Sequence, residues 1–301
     1  MTRPPLLYAL PGSHHLEPTL RQALSADAGE LEVSAFPDGE SYLRFQTSPA
    51  GQDIILLACL NDPDAKFIPL LFAAKTAHDL GARSVGLIAP YMPYFRQDVA
   101  FNPGESVNAR HIGALLSDSF DWVVTLDPHL HRLSSLADVF TIPGQVAQSA
   151  DAIAAWIQSH VETPMLFGPD AESEQWVSAI ANACDAPYAV FLKTRHDSRS
   201  VDIDVPSGLS LSGYTPVIVD DIVSTGGTLG TLVSELRRRE SPPPVCCVVH
   251  GLFSEETGKR LSAAGAGQVV TTTSVPHPTN AIDIVPALAD ATDKVFSTLK
   301  G

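Results

Sequence analysis

Basic residues are scarce in this chain. Its 301 residues include 19 lysines and arginines against 34 aspartates and glutamates, which gives a formal net charge of −15. A surface this acidic repels phosphate backbones and anionic membranes. The composition therefore argues against binding of nucleic acid or a membrane through a general basic face, and any phosphate must be bound by a few focused groups.

Cysteines and long apolar runs are also few. The four cysteines (Cys59, Cys184, Cys246 and Cys247) show no C-x-x-C spacing, so we expect reduced, buried thiols and no cysteine metal site. No run approaches the ~18 apolar residues that span a bilayer. The apolar stretch near the amino terminus is short and broken by prolines, unlike a signal peptide. These features predict a soluble, cytoplasmic protein.

Short apolar runs alternate with longer amphipathic stretches along most of the sequence. Such alternation predicts right-handed βαβ units and mostly parallel sheets flanked by helices. The order repeats in two halves, so we predict an α/β protein with domains at residues 1–143 and 144–283, and a helix at 284–301 that packs back on the first domain. Strands are predicted at Ile54–Ala58, Ser84–Ala89, Trp122–Leu126, Pro187–Leu192, Val217–Val219 and Val245–His250, and helices at Asp62–Leu80, Val107–Ser119, Gln145–His160, Ser173–Ala183, Gly227–Arg239 and Thr257–Ala264.

The strongest functional motif runs from Val217 to Thr228, where an apolar strand leads into two acids, a loop of small residues and a helix. Hydroxyls and N–H groups at a helix N-terminus suit one phosphate, because glycine allows close approach and the helix dipole favours an anion. The two acids suit ribose hydroxyls or the water shell of a magnesium ion. The alternative is a plain strand–turn–helix with one capping acid. The predicted ligand-binding residues are Asp220, Asp221, Ser224, Thr225, Gly226, Gly227 and Thr228.

Two segments of the first half carry groups that suit a nucleotide. Arg96 and Gln97 follow a predicted strand, where a guanidinium can bind a phosphate and an amide can contact a base or ribose. A surface pair of Arg96 with Asp98 is the alternative. In Phe36–Glu40 the aromatic ring can stack on an adenine while the acids Asp38 and Glu40 accept hydrogen bonds, but Pro37-Asp38-Gly39 also predicts a hairpin turn. From the residues alone, we favour the turn.

Further polar residues follow other predicted strands. His129 comes after Trp122–Leu126, although a lone histidine is more often packed or capping than a ligand. Lys193 and Arg195 close an apolar strand and open a polar stretch. Without neighbouring motifs, they would be interpreted as a solvated charge pair.

Taken together, these segments resemble a known family. The segment that ends at Thr228 resembles the phosphoribosyl-binding motif of the phosphoribosyltransferase-like fold. With F-P-D-G-E from Phe36, P-Y-M-P-Y-F-R-Q-D ending at Asp98 and T-L-D-P-H ending at His129, the chain resembles the ribose-phosphate pyrophosphokinase family. The pattern from Arg96 to Glu105 is most similar to its shorter archaeal-type members.

The resemblance implies an enzyme with two phosphoribosyltransferase-like domains. Its reaction would transfer pyrophosphate from ATP to the 1-hydroxyl of ribose 5-phosphate, with Mg²⁺ as cofactor, in a homo-oligomer built on dimers. It would assign ATP binding to Phe36, Asp38, Glu40, Arg96 and Gln97, the metal on ATP to His129 and Asp170, ribose 5-phosphate to Asp220, Asp221 and the loop Ser224–Thr228, and catalysis to Lys193 and Arg195 on a closing loop.

Some residues depart from the family pattern and keep alternatives open. His131 competes with His129 for the metal. Glu172 and Glu174 replace small residues after Asp170, Ser224 replaces a common aspartate, and Val99 and Ala100 stand where basic residues are common. A non-catalytic regulatory paralogue is therefore one alternative, and a phosphoribosyltransferase, which needs only the second half, is another.

Overall fold

Two units make up the chain in a computed structural model, which describes residues 3–130, 132–195, 201–204 and 211–300. The first unit extends to Gln148 and takes up residues 274–276 and those from Ile284 onward, whereas the second comprises Ser149–Thr273 and His277–Asp283. The elements of the first unit are β1 (Leu6–Ala9), α1 (Glu17–Ala23), β2 (Asp27–Ala28), β3 (Leu31–Ala35), β4 (Ser41–Phe45), β5 (Asp53–Leu57), α2 (Pro63–Asp79), β6 (Ser84–Ala89), α3 (Asn108–Ser117), β7 (Trp122–Leu126) and β8 (Gly144–Ala147). Those of the second are α4 (Ala150–His160), β9 (Pro164–Gly168), α5 (Glu174–Cys184), β10 (Tyr188–Val190), β11 (Leu192–Arg195), β12 (Val201–Asp204), β13 (Thr215–Val223), α6 (Gly227–Arg238), β14 (Val245–Gly251), α7 (Glu255–Ala263), β15 (Gln268–Thr272) and β16 (Asn280–Ile282), and the final helix α8 (Val285–Lys300) belongs to the first unit.

Each unit is built on a six-stranded sheet in which all neighbouring strands are parallel. The strand order is β2-β1-β5-β6-β7-β8 in the first sheet and β10-β9-β13-β14-β15-β16 in the second. Two antiparallel ribbons, β3–β4 and β11–β12, stand apart from the sheets. The predicted fold class, α/β with two parallel-sheet domains flanked by helices, is confirmed.

The central strands are apolar at nearly every position because helices cover both faces of each sheet. In the first unit Ile54–Leu57 of β5 and most of β6 and β7 are fully buried. In the second unit the equivalent core is formed by β13 and β14, with Val217–Val219 and Cys246–Val249 fully buried. All four cysteines are free thiols, as expected, and Cys59, Cys246 and Cys247 are buried, but Cys184, predicted to be buried, is only half-buried.

The structure differs from the sequence prediction around residue 144. The prediction of a helix over Gln145–His160 is wrong in its first turn, because Gly144–Ala147 forms β8, which pairs with Val123–Leu126 of β7. Such a short apolar run fits strand or helix equally well, and only the open sheet edge beside β7 decides. The first unit therefore continues to Gln148 and does not end at residue 143. At the other end of the chain, α8 packs on α1, β7 and β8, with the Phe296 ring 5.2 Å from that of Trp122.

The order of the strands decides where ligands can bind. In each sheet the second strand lies on one side of the first strand, and all later strands lie on the other side. The chain therefore changes direction across the sheet between β1 and β5 in the first unit and between β9 and β13 in the second, and these positions are the topological switch points. Parallel sheets bind ligands beyond the carboxyl ends of their strands, at such points. Among the residues that the structure describes, no helix has the length and apolar character needed to cross a membrane.

Candidate active site

The small-residue loop of the second unit joins β13 to α6 at the switch point beside β9. Ser224 is half-buried, and Thr225, Gly227 and Thr228 are exposed. Gly226 is the N-cap of α6 and supplies no side-chain hydrogen bond to the first turn of that helix. The first N–H groups of a helix have no intrahelical partner, so this end of α6 presents uncapped donors and a positive dipole end to an anion.

Gly226 is the residue that shapes the loop. Its φ is +69°, in the left-handed region that residues with a Cβ rarely adopt. A Cβ there would lie 2.6 Å from Cγ2 of Thr257, a buried residue of α7. Gly227, by contrast, has no atom closer than 3.9 Å to a Cβ, so its lack of a side chain keeps the outer side of the loop open.

The two acids lie inside β13 and not after it. The strand was predicted to end at Val219, but its pairing with β14 continues to Val223 opposite Gly251. Both acids are half-buried. An Asp220 carboxylate oxygen accepts from the Asp221 N–H at 3.0 Å, and an Asp221 oxygen accepts from the Ile222 N–H at 2.7 Å. These local bonds fix both carboxylates at the strand end that leads into the loop.

Asp170 lies on the other side of the same switch point. It follows β9, whose last recorded partner in β13 is Ile218 opposite Phe167. Asp170 and Asp221 each lie three residues beyond that pair, so the two carboxylates belong to the same edge of the second sheet. The Ser173 hydroxyl donates to the Asp170 carbonyl at 2.6 Å and fixes the turn, while Glu172 and Glu174 are exposed.

Arg96 and Gln97 follow β6 in the first unit, as predicted. Arg96 is exposed and has no ion pair among the described residues, and the alternative pair with Asp98 is wrong, since Asp98 binds Arg132 at 3.1 Å. Gln97 is half-buried, and its side-chain oxygen accepts from the Asn108 amide at 2.7 Å. The Gln97 side-chain NH₂ therefore remains a donor to a ligand, and Arg96 keeps its guanidinium available.

The Phe36–Glu40 segment forms the tip of the β3–β4 hairpin, so the predicted turn is confirmed. The Phe36 N–H donates to the Glu40 carbonyl at 2.8 Å, and Gly39 has a φ of +94°. The Phe36 ring is 51% exposed and packs edge-on against Tyr42. Asp38 and Glu40 are exposed beside it. The hairpin thus presents an aromatic ring and two acids to solvent.

His129 lies in the loop after β7, at the carboxyl edge of the first sheet. It is half-buried. Asp127, which begins this loop, has a φ of +35°, and its N–H donates to the Ala147 carbonyl of β8 at 3.0 Å. Such a left-handed residue persists only where its surroundings hold it. His131 lies outside the described residues.

Lys193 and Arg195 both lie in β11. Their backbone pairs in the antiparallel ribbon with Ile203 and Val201 of β12. The strand predicted at Pro187–Leu192 is thus divided between β10 of the sheet and β11 of this ribbon. The described part of the chain holds no cluster of three or more histidines, cysteines or acids that could bind a metal without further ligands.

Two residues at these sites could not be found from the sequence. Asn108 begins α3 and fixes Gln97, 11 positions earlier. Arg260 of α7 donates from Nη2 to the Thr225 carbonyl and to the Thr257 hydroxyl, both at 2.9 Å, and it lines a cavity of about 390 Å³ together with Thr225, Gly226 and Gly227. An asparagine at a helix start and an arginine on an exposed helix are common, so no local pattern distinguishes them.

The two halves match two family models. Residues 6–119 match the N-terminal domain of ribose phosphate pyrophosphokinase, and residues 144–256 match the phosphoribosyl transferase domain. The chain belongs to the ribose-phosphate pyrophosphokinase family. The resemblance inferred from the motifs is confirmed, and so are the two phosphoribosyltransferase-like domains.

Relatives of this pyrophosphokinase family member match it over nearly its whole length. It is 28% identical to the ribose-phosphate pyrophosphokinase of Methanopyrus kandleri, with 92% of this chain and 94% of the relative covered. It is 29% identical to that of Sulfurisphaera tokodaii, with 91% and 95% covered. The crystal structure of phosphoribosylpyrophosphate synthetase from Mycobacterium smegmatis superposes with a TM-score of 0.85 at 24% identity and covers 98% of this chain and 100% of that one, which establishes the shared fold.

Proposed function

We propose that this chain is the enzyme that forms phosphoribosyl pyrophosphate from ATP and ribose 5-phosphate. The 1-hydroxyl of ribose 5-phosphate attacks the β-phosphorus of ATP, the bond from that phosphorus to the α-phosphate bridging oxygen breaks, AMP leaves, and the hydroxyl proton is released. The observation that carries this proposal is the uncapped Ser224–Thr228 loop in one unit of a chain whose other unit presents Arg96 and Gln97 at a sheet edge.

The second unit binds ribose 5-phosphate. The N–H groups and hydroxyls of Ser224–Thr228 hold the 5-phosphate, helped by the positive end of α6. Asp220 and Asp221 accept hydrogen bonds from the ribose hydroxyls, and their half-buried position at the strand end supports this role. The transfer step needs no general base, because orientation of the substrates and compensation of their charge supply most of the rate in phosphoryl transfer.

The first unit binds ATP. The exposed guanidinium of Arg96 pairs with the polyphosphate, and the Gln97 amide donates to the base or ribose. Phe36 stacks on the adenine while Asp38 and Glu40 accept from its amino group or from the ribose. Because these three side chains stand at the exposed tip of a hairpin, we propose that they serve the nucleotide of a neighbouring subunit in a homo-oligomer built on dimers.

The residues at the carboxyl edges fit Mg²⁺. The ion prefers oxygen and keeps several waters, so it is usually held by one or two carboxylates plus substrate phosphates. Asp170 and the acids of β13 are such carboxylates, and His129 adds an imidazole in the first unit. When bound, the metal neutralises the polyphosphate charge.

Lys193 and Arg195 stabilise the transferring group. Negative charge builds up on the bridging oxygen as its bond to the β-phosphorus breaks and AMP leaves, and cations in a dry site stabilise that charge. Their place in the first strand of the β11–β12 ribbon supports a role for these two residues in a segment that closes over the substrates.

Location in the cytoplasm remains a prediction from the sequence.

The deciding assay is AMP release from Mg–ATP with and without ribose 5-phosphate, with phosphoribosyl pyrophosphate identified by mass. We expect AMP to form only when the sugar phosphate is present, and to disappear in excess chelator. A phosphoribosyltransferase would instead consume phosphoribosyl pyrophosphate in the presence of a base. Purified, folded protein with no AMP release would favour the regulatory paralogue and overturn the proposal.

A further inference from the structure

A buried carboxylate follows the proposed nucleotide-binding pair directly. Asp98 is 8% exposed as a residue, and its side chain is 2% exposed. An unpaired buried carboxylate is costly, so its partner decides whether this backbone conformation is stable. That partner is Arg132, whose Nη1 lies 3.1 Å from Oδ1 and whose backbone N–H donates to Oδ2 at 3.3 Å.

The same arginine reaches a second residue of the segment. Its guanidinium carbon lies 5.0 Å from the centroid of the Phe101 ring, within cation–π distance. Arg132 therefore holds both Asp98 and Phe101, three residues apart. It comes from the loop after β7 that also carries His129, so it ties together two loops at the carboxyl edge of the first sheet.

The other side of the segment is held by α3. The Asn108 amide donates to the Gln97 side-chain oxygen at 2.7 Å, and the Ala109 N–H donates to the Gln97 carbonyl at 3.3 Å. Gln97 is thus fixed by α3, and its neighbour Asp98 by Arg132. Neither Asn108 nor Arg132 need touch a ligand for this support to act on one.

We propose that Arg132 is a positioning residue for ATP, which holds the Arg96–Gln97 segment in its binding conformation through Asp98 and Phe101. This inference rests on the proposed function. A displacement of only about 1 Å at a binding group can cost as much as ~100-fold in rate. Loss of this support should therefore weaken the binding of ATP. It should leave the binding of ribose 5-phosphate unaffected, because the phosphate loop belongs to the other unit.

The test compares Arg132→Met with a matched control, Arg83→Met. Arg83 also forms an arginine–aspartate pair in the first unit, with Asp53, and both arginine side chains are 49% exposed. Asp53 and Arg83, however, lie at the amino ends of their strands, away from the ligand edge. We expect Arg132→Met to raise the KM for ATP tenfold or more with the KM for ribose 5-phosphate within twofold, and Arg83→Met to change neither by more than twofold.

A binding measurement separates this inference from the proposed reaction. Calorimetric titration with α,β-methylene-ATP, which cannot be cleaved between the α and β phosphates, needs no turnover. A dissociation constant within threefold of wild type for Arg132→Met would overturn the inference even if wild type forms phosphoribosyl pyrophosphate. If wild type binds the analogue but releases no AMP, the proposed function fails and the role of Arg132 in nucleotide binding is still measured.

Two further variants cover loss of folding. Arg132→Met leaves Asp98 buried without its cation, so the double variant Asp98→Asn/Arg132→Met removes the charge and restores the melting temperature. It should still bind the analogue at least tenfold more weakly, because the tie to Phe101 is gone. Arg132→Lys keeps the charge without the planar fork and should recover part of the affinity. A double variant with wild-type affinity would assign Arg132 to stability alone.

Discussion

Replacing Gly226 by alanine tests the shape of the phosphate loop. Two costs add in this variant: a left-handed backbone at an L-residue costs about 1–2 kcal/mol, and overpacking a filled site costs about 1–3 kcal/mol. The second arises because the new Cβ would lie 2.6 Å from Cγ2 of buried Thr257. We expect a loss of about 2–5 kcal/mol in the free energy of unfolding, with weaker binding of ribose 5-phosphate.

The two costs can be separated by urea unfolding of a double variant. Thr257→Ser removes Cγ2 but keeps the hydroxyl that accepts from Arg260, so in that background Gly226→Ala should cost only the backbone term of about 1–2 kcal/mol. The neighbouring change Gly227→Ala is the matched control, since its Cβ meets no atom within 3.9 Å. Its free energy of unfolding should stay within about 1 kcal/mol of wild type. Its binding of ribose 5-phosphate should still be weaker, because the methyl group obstructs the approach of the phosphate.

The result that would refute this reasoning is equally specific. A Gly226→Ala protein less than about 1 kcal/mol below wild type would show that the loop does not need its left-handed residue. An unchanged penalty in the Thr257→Ser background would show that the contact with α7 is not what limits the site.

Two other predictions follow from the proposed site, and a third concerns the loop that precedes α3. Lys193→Ala should lower kcat and kcat/KM together by ~10²–10³ with substrate binding kept, and steady-state kinetics within about fivefold of wild type would remove it from the mechanism. Thr228→Val should weaken the binding of ribose 5-phosphate more than the binding of ATP in separate titrations, and equal losses of affinity for both would contradict the loop assignment. Hydrogen bonds from the Asn102 side chain and from the Asn102 and Phe101 N–H groups lower the pKa of Glu105 below its ordinary 4.5, so its stabilising effect is present above that value and is lost as pH falls through the lower folded pKa. Urea unfolding should therefore show wild type more stable than Glu105→Gln at pH 7, with the difference in free energy of unfolding shrinking as the pH falls below 4.5. A difference that does not change with pH would argue against this loop anchor.

Much of the fold could be predicted because buried parallel strands have an unmistakable composition. β6 and β7 lie at the residues predicted for them, since strands covered on both faces are continuous apolar runs. Because these strands were recognised from their apolar runs, Arg96, His129 and the phosphate loop were correctly predicted to follow strand ends. The prediction was weaker where a strand is short or half-exposed, as at β8 with its four residues and at β3, which has no fully buried residue.

Partnerships across the fold could not be predicted from the sequence. Asp98 and Arg132 are 34 residues apart, and Gln97 and Asn108 are joined only because α3 begins beside the segment after β6. Local patterns fix which residues reach a strand end, but the neighbours that hold them there depend on the packing of several elements. The two acids of β13 show the same limit, because β14 and not their own sequence extends the strand past them.

The two units share one strand order. Numbered within its own sheet, each unit runs second, first, third, fourth, fifth and sixth strand across the sheet, and each carries its antiparallel ribbon between the second strand and the third. Duplication and fusion of one ancestral domain would produce this agreement even after all sequence repetition has been lost. The hairpin tipped by Phe36 and the ribbon that begins with Lys193 are then the same inherited part in two copies. Because each ribbon stands outside its sheet, its side chains can change without disturbing a core, so the two copies are free to take the different roles proposed above, one toward the nucleobase and the other toward the transferred phosphates.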